Sequence, residues 1–483
     1  MATPIPSNEA RFSAGELAAA TGGSLLGVDA DSLVVGVSTD SRSVPPGAAF
    51  FALVGHAHDG HRFAAAARER GALPVVERGR GVDGPRIEVA DTLTALGDLA
   101  RYFVGRETVG RAVPVLAIGG AAGKTTTKTL AAAAVSALCG ETLVTAGNLN
   151  NRIGVPMTLL TLDARHRAIV LECGTSVRGE IAELGRIARP DVAVVINVGV
   201  EHSAGLGTLD QIADEEAALL FAARRAAVAN GDDELLVHRH TRVSAQKLLF
   251  GLAESCDLRL ASRSLDAAGA STVAFRTRGS GLFEGLASRQ ELRFTTELLG
   301  ESAAMNVAAA VLAAVALLGR PASADEVEAL RSAIAGVEAV PGRLRPIELG
   351  AVLVIDDSYN ANPRSVRAAL AATRELATRR EARLVIALGD MLELGEVSAG
   401  EHEAMLRAAD DAGAAQLVLV GAETGAALGR LADELHTPHR AFLTSLEAAA
   451  DLAGVVHPGD VLLVKGSRGM RMERLIEALE NRT

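Results

Sequence analysis

One stretch, VPVLAIGGAAGKTTTKT from Val113 to Thr129, restricts the folds open to this chain more than any other. It opens with an apolar run rich in Val and Ile, too short for a typical buried helix and suited to a buried strand. A glycine-rich turn follows, then Lys124, three threonines and an alanine-rich helix expected from about Thr126. Strand, glycine loop, lysine and hydroxyl, helix is the order that holds a nucleotide triphosphate. Glycines let backbone N–H groups close around phosphate oxygens, a lysine adds a mobile positive charge, and a threonine hydroxyl reaches Mg²⁺. Gly120, Gly123, Lys124, Thr125 and Thr126 are therefore the expected contacts to ATP, with Thr125 at the metal. The spacing departs from GxxxxGK[ST], because Ile118 stands at the first glycine position and Gly119, Gly120 and Gly123 supply the flexibility instead. A chance glycine turn before a helix has the same outline, so later motifs must decide.

Such a loop needs a sheet to carry it, and 483 residues exceed one ordinary core; about two to four domains are expected. With 49% hydrophobic and 22% charged residues, the composition is that of a soluble globular protein. A net charge of −11 argues against a general nucleic-acid or anionic-membrane binder, although a nucleotide needs only local positive charge. No Trp and two Tyr leave no stacking platform for single-stranded nucleic acid. Cys139, Cys173 and Cys256 have neither metal nor disulfide spacing and read as inert thiols. The N-terminus, MATPIPSNEARF, lacks the order of a signal peptide, and the longest apolar run, 307–318, falls short of the roughly 20 residues that span a bilayer. A cytoplasmic location is expected.

Residues 1–111 read as a small mixed α/β region. In it, Ser38 and Ser41 beside Arg42 suit a diphosphate or sugar and equally suit a turn cap. Asp59, Gly60 and His61 follow the strand-like AAFFALV. From 112 to 319 strands and helices alternate, which favours a mostly parallel sheet covered by helices. Asn148, Asn150 and Asn151 crowd one loop, where capping and ligand contact both fit. AIVLECG ends in Glu172, an acid at a strand's carboxyl end, where a Mg²⁺ ligand belongs in a sheet carrying a phosphate loop. The strand 192–200 leads to Glu201 and His202; a histidine there is ordinarily a surface residue, but this strand is expected to end beside the same cleft. LDQIADEEAALLFAA, 209–223, reads as a helix with Asp214, Glu215 and Glu216 on a solvated face. Residues 240–300 give short β-like pieces, and Asn306 lies near the start of an apolar helix, 302–318.

Gly319, Arg320, Pro321 and the helix opener at Ser323 mark a boundary. Residues 320–483 alternate again. One strand leads into DDSYNANP, with Asn360 and Asn362 as a ligand rim; another, 384–388, leads into GDMLELGE; the last ends in VKGSRGMR, where Lys465, Arg468 and Arg471 lie near a glycine turn. Polar residues at three strand tips suit a doubly wound, Rossmann-like domain whose carboxyl edge faces a ligand.

Over nearly its whole length the sequence resembles the Mur ligases. The resemblance rests on STDSR (38–42), DGH (59–61), GKTTTK (123–128), GNLNNRIGVP (147–156) and GEIAELGRIARPDVAVVINVG (179–199). It continues through PGR (341–343), DDSYNANP (356–363), LGDMLELGE (388–396) and KGSRGMR (465–471). The DDSYNANP and LGDMLELGE pair is the specific part, since general ATPases have no reason to carry it. Within the family, the likeness is greatest to the branch that adds D-alanyl-D-alanine to UDP-N-acetylmuramoyl-tripeptide in peptidoglycan precursor synthesis.

The resemblance implies an α/β ligase of three domains: 1–111 for the UDP part of the substrate, 112–319 for ATP, and 320–483 for the ATP ribose and the incoming dipeptide. ATP phosphorylates the tripeptide's terminal carboxylate, the amine attacks the acyl phosphate, and phosphate leaves. Two Mg²⁺ ions are implied, one at Thr125 and Glu172, the other at His202. Arg343 is implied at the γ-phosphate, Asp356 at the ribose and Asn306 near the adenine. Ser38, Ser41 and Arg42 would face the uridine nucleotide, and Asn148, Asn150, Asn151, Asn360 and Asn362 would border the acceptor sites. The enzyme is expected to be a monomer.

Three places in the sequence depart from the family. A lysine whose carbamate binds the second Mg²⁺ aligns with Glu216, a carboxylate on a shorter arm. Glu216 is expected to replace that carbamate, directly or through a water, with Glu215 standing in if the alignment slips by one. Lys124, Glu172, His202, Glu216 and Arg343 thus form the expected catalytic set. Ser302–Ala303 replaces a His-Asn pair, and Ala121–Ala122 replaces polar residues in the phosphate loop, whose cradle is mostly backbone. Competing expectations are a ligase for another acceptor, a kinase that stops at the phosphorylated product, and a nucleotide-binding scaffold without catalysis, which only the lysine-to-glutamate change favours.

Overall fold

Runs of four to six Val, Ile, Leu and Ala residues without a polar break form strands buried on both faces, and these strands build the sheets. The structure, a computed structural model, describes residues 3–55, 58–200, 203–279, 281–284, 291–431 and 433–481. It divides into two compact units: Met1–Ala117 with Cys139–Thr175 and Gly179–Asp191, and Ile118–Leu138 with Ser176–Arg178 and Val192–Thr483.

In the first unit, Val37–Ser38, Ala49–Phe51, Leu73–Glu77 and Arg86–Val89 pair in parallel, and Ser24–Leu26 closes the edge antiparallel. Helix Thr92–Glu107, capped by Asp91, buries Leu96, Leu99 and Phe103. A separate parallel pair joins Thr142–Val144 to Ala168–Glu172.

In the second unit, Val192–Val195, Ala226–Asn230, Gln246–Gly251 and Leu258–Leu265 pair in that order, all parallel. Ser271–Thr277 and Glu291–Thr296 extend this sheet antiparallel, so the weak β signal of 240–300 resolves into a β ribbon. Helix Gly300–Leu318 is long and apolar enough to cross a membrane, yet most of it is buried inside the unit, as in a core helix.

A second sheet of this unit runs Arg345–Leu349, Val352–Asp357, Val461–Lys465, Leu384–Gly389, Gln416–Val420, His439–Phe442, parallel except for its first strand. Its side chains alternate between two cores. Ile355, Ile386 and Leu463 face helices Pro363–Arg379 and Ser398–Asp411, while Val354, Val385 and Leu462 face Ser445–Asp451 and Glu473–Glu480. Helices on both faces are the doubly wound arrangement expected. Its carboxyl edge sets Asp357 opposite Lys465 in register.

Two local expectations are corrected. The strand beginning at Val192 stops at Val195, because Ile196 and Asn197 turn to bond the glycine loop instead. The helix Leu209–Phe221 does not solvate its acids uniformly: Glu215 and Glu216 are buried among Ile212, Ala213 and Leu219, and only Asp214 faces outward, paired with Arg239. An Ala- and Leu-rich helix covered on more than one side buries whatever lies between its apolar residues.

Ser323 caps helix Ala324–Ala335 in a capping box with Glu326, and the Arg320 guanidinium lies 2.7 Å from that carboxylate. Arg320, with the Ser323 backbone, lowers the Glu326 pKa from 4.5 to about 2. Because the folded value is depressed, this contribution is present above about pH 4.5 and fades as pH falls toward 2. Glu326→Gln keeps the box and removes the charge. It is expected to cost less than about 1 kcal/mol at neutral pH, the pair being exposed, and the difference in thermal midpoint from wild type should close across that acid window.

Candidate active site

Strand Val115–Gly119 delivers the chain into the glycine loop, and helix Lys124–Cys139 begins at its end, two residues before the expected start. Two glycines are required by geometry. Gly120 has φ +124°, and a Cβ there would lie 3.0 Å from the Ile196 nitrogen; Gly123 has φ +89°, and a Cβ there would lie 2.9 Å from Asn306 Oδ1. Asn306 is thus packed against the loop. The Lys124 ammonium folds back to donate to the Gly120 carbonyl at 2.5 Å.

The loop's shape is imposed from the next strand. Asn197 Oδ1 accepts from the Ala122 N–H at 2.9 Å, its Nδ2 donates to the Ala122 carbonyl at 2.8 Å, and its own carbonyl accepts from the Ala121 N–H. Glu216, fully buried, accepts the Gly120 N–H at 2.7 Å. Sequence reading missed Asn197; a lone Asn closing an apolar strand, in VVINVG, was the available signal.

A second group comes from the doubly wound sheet. Asp356 accepts from the Gly342 N–H at 2.9 Å and from the Ser358 hydroxyl and N–H, and Asp357 accepts from the Leu344 N–H at 3.1 Å. These bonds fix Gly342-Arg343-Leu344, in which Leu344 takes φ +50°, and they aim Arg343 so that its Nη2 lies 3.4 Å from the Thr125 hydroxyl. The Arg343 guanidinium also sits 4.3 Å from the Tyr359 ring centroid. Lys465 Nζ donates to Asp357 at 2.6 Å and to the Asn360 carbonyl at 3.0 Å. Burial pushes the Asp357 carboxyl up and the Lys465 ammonium down from their ordinary values, each opposed by the other's charge. The Asn362 side chain caps helix Pro363–Arg379, and its amide nitrogen lies 3.5 Å from the Ala121 carbonyl. Asn360 is exposed.

In the first unit, Glu172 is buried and accepts from Asn150 Nδ2 at 2.8 Å. Asn151 caps the turn at Ile153 and Gly154, and the Asn148 N–H donates to the Thr3 hydroxyl. Ser38 is bonded to Asp40, which also holds the Arg42 guanidinium at 2.7 Å and keeps its own carboxyl below the usual range; Ser41 lies in the same turn. The His61 ring joins Asp59 to the Glu77 N–H, so DGH is a structural clasp. Buried Cys256 has its thiol pushed up to about 11 by burial, in keeping with an inert thiol. His202 and Glu201 lie outside the described residues.

The structure therefore brings together Gly120, Gly123, Lys124, Thr125, Glu216, Asn306, Arg343, Asp356 and Asn362 within its second unit. Three family models match along the chain: "Mur ligase family, catalytic domain" over 33–104, "Mur ligase middle domain" over 118–314 and "Mur ligase, glutamate ligase domain" over 342–468. The chain belongs to the Mur ligase family. It is an ATP-dependent ligase of that family. The UDP-N-acetylmuramoyl-tripeptide–D-alanyl-D-alanine ligase of Escherichia coli (strain K12) is 33% identical over 93% of this chain and 95% of its own. A crystal structure of MurF from Acinetobacter baumannii superposes with a TM-score of 0.85 at 30% identity, covering 98% of this chain and 100% of that one. MurF from Thermotoga maritima, solved in complex with ADP, gives 0.77 at 27% identity over 92% and 98%.

Removing one partner of a buried ion pair strands the other, which costs about 3–5 kcal/mol. Lys465→Met and Asp357→Asn are each expected to lower unfolding free energy by roughly that amount in urea titrations. The double variant should lose distinctly less than the two singles added together.

Proposed function

We propose that this Mur ligase joins D-alanyl-D-alanine to UDP-N-acetylmuramoyl-tripeptide, converting ATP to ADP and phosphate, as a cytoplasmic monomer. The observation that carries the reading is the meeting of the phosphate loop with Arg343, whose guanidinium approaches the Thr125 hydroxyl from the doubly wound sheet. The domain limits proposed are 1–111, 112–319 and 320–483.

A carboxylate is a poor electrophile, and its oxygen must attack the γ-phosphorus of another anion. That encounter needs positive charge on both sides of the transferring group. Lys124 and the loop N–H groups supply it from one side and Arg343 from the other. The Pγ–O bond to ADP breaks as the acyl phosphate forms. The dipeptide amine then attacks the acyl carbon, the C–O bond to phosphate breaks, and the amine gives up a proton. By the family resemblance Asn306 would border the adenine and Asp356 would contact the ribose.

For Mg²⁺ the donors fit: a threonine hydroxyl and a buried carboxylate are hard oxygen ligands. Among the described residues no three of His, Cys, Asp and Glu gather as a metal cage. Mg²⁺ needs none, since it keeps waters and takes substrate phosphate oxygens. Two ions are proposed, Thr125 holding one and Glu216 the other, and each would neutralise charge on the phosphates. A carboxylate beside phosphates is repulsive without a cation between them, which supports Glu216 in the role of the family's carbamate. For Glu172, His202, Ser38, Ser41, Arg42, Asn148, Asn150, Asn151, Asn360 and Asn362 the support is the family resemblance alone.

Mass spectrometry of a reaction with UDP-muramoyl-tripeptide, ATP and D-alanyl-D-alanine should give the pentapeptide product, with phosphate release that depends on the dipeptide. ADP formed without the dipeptide would indicate a kinase, and no turnover with any tripeptide a scaffold. Glu216→Gln is expected to lower turnover by about tenfold or more and to shift the Mg²⁺ concentration for half-maximal rate upward. An unchanged Mg²⁺ titration would remove Glu216 from the metal.

A further inference from the structure

Ahead of its first strand the chain runs as TPIPSN (3–8), with no helix or strand of its own, and both ends of this segment are fastened within the first unit. At one end Asn8, half-buried, pairs with Val37 as a neighbouring strand would. Its Nδ2 donates to the Val37 carbonyl at 2.9 Å and its Oδ1 accepts from the Val37 N–H at 3.0 Å. Val37–Ser38 is the edge strand of the first sheet and leads into the turn that carries Ser41 and Arg42. At the other end the Thr3 hydroxyl accepts from the Asn148 N–H at 3.3 Å, in the loop that also holds Asn150 and Asn151. Both landing points are glycines with no room for a side chain. A Cβ on Gly36 would lie 2.9 Å from the Asn8 carbonyl oxygen, and one on Gly147 would collide with the Thr3 hydroxyl. Between the ends, Pro4 and Pro6 fix their own φ and push Thr3 and Ile5 toward extended backbone, so the segment loses little entropy when laid out straight. Five residues in that form reach about 15 Å. Ile5 is exposed, so the polar fastenings at the two ends hold the segment, not apolar burial.

Resting on the reading above, we propose that residues 3–8 are a strap that holds the turn 38–42 and the asparagine loop 148–151 in fixed relation, with Asn8 and Thr3 as positioning residues for the UDP-sugar-peptide substrate. On that reading one substrate is met at two places, its nucleotide end by the turn and its peptide end by the loop. Two untied segments would each have to be ordered as the substrate binds, and that ordering subtracts from affinity. A tie already ordered on folding removes part of the cost. It also couples the two places: a nucleotide that orders Val37 orders Asn148 through Asn8 and Thr3. The loop's order carries further, because Asn150 donates to the Glu172 carboxylate and its carbonyl accepts from the Gly174 N–H.

Amide hydrogen exchange and equilibrium binding would be measured on wild type, Thr3→Val, Asn8→Ala and the double variant, with UDP and with UDP-N-acetylmuramoyl-tripeptide as probes. UDP fills the nucleotide end alone. In wild type it should slow exchange both in 37–42 and in 147–151, and in Thr3→Val it should protect 37–42 only. Thr3→Val and Asn8→Ala should each raise Kd for the UDP-tripeptide by about fivefold, with Kd for ATP unchanged. The double variant should bind about as weakly as Asn8→Ala alone, since one break already releases the strap. Additive losses would mean two independent local contacts and overturn the proposal. So would UDP protection of 147–151 that survives in Asn8→Ala, or a parallel loss of ATP affinity, which marks a general lesion. If wild type binds the UDP-tripeptide and every variant binds it equally well, the strap alone fails. If wild type does not bind it, the substrate reading fails first and takes the strap with it.

Discussion

One amide holds the reactive half of this protein in shape. Asn197 grips Ala122 by its N–H and its carbonyl together, and without that grip a loop with three glycines in five residues would sample many conformations. A cradle of backbone N–H groups stabilises charge only if it is already oriented when the charge arrives. Asn197 can do this because it is nearly buried, where a hydrogen bond meets little competition from water. Its position follows from the register of strand Val192–Val195, and a slip of one residue would turn its side chain to the other face.

The opposing guanidinium is held by a different device. Two adjacent acids at one strand tip, Asp356 and Asp357, accept from the Gly342 and Leu344 N–H groups on either side of Arg343. They keep Leu344 in a left-handed conformation that a non-glycine residue adopts at a cost of about 1–2 kcal/mol. Lys465 anchors the second of these acids from the neighbouring strand. A chain of contacts therefore runs from the last strand of the sheet to the Thr125 hydroxyl. Each link is buried or half-buried, so each responds strongly to loss of a partner.

Glu216 differs in kind. It brings a carboxylate to a glycine loop whose Gly120 N–H it accepts. On the proposed reading, phosphates bound at this loop would be repelled by that carboxylate unless positive charge stood between them.

The sequence by itself determined most of the strands, the glycine loop, the doubly wound last sheet and the family, because alternating apolar runs and motifs such as DDSYNANP are local in the chain. It also determined which residue types stand at the strand tips. What it did not settle was which polar residues act on other residues. Asn197 looked like part of an apolar strand and proved to shape the loop, Glu215 and Glu216 looked solvated and proved buried, and His61 and Asn362 proved to be bonded within the fold. Those outcomes depend on which elements pack together. Burial and hydrogen-bond partners are set by neighbours dozens to hundreds of residues away, as with Arg343 and Thr125, and only the tertiary structure brings such residues within reach.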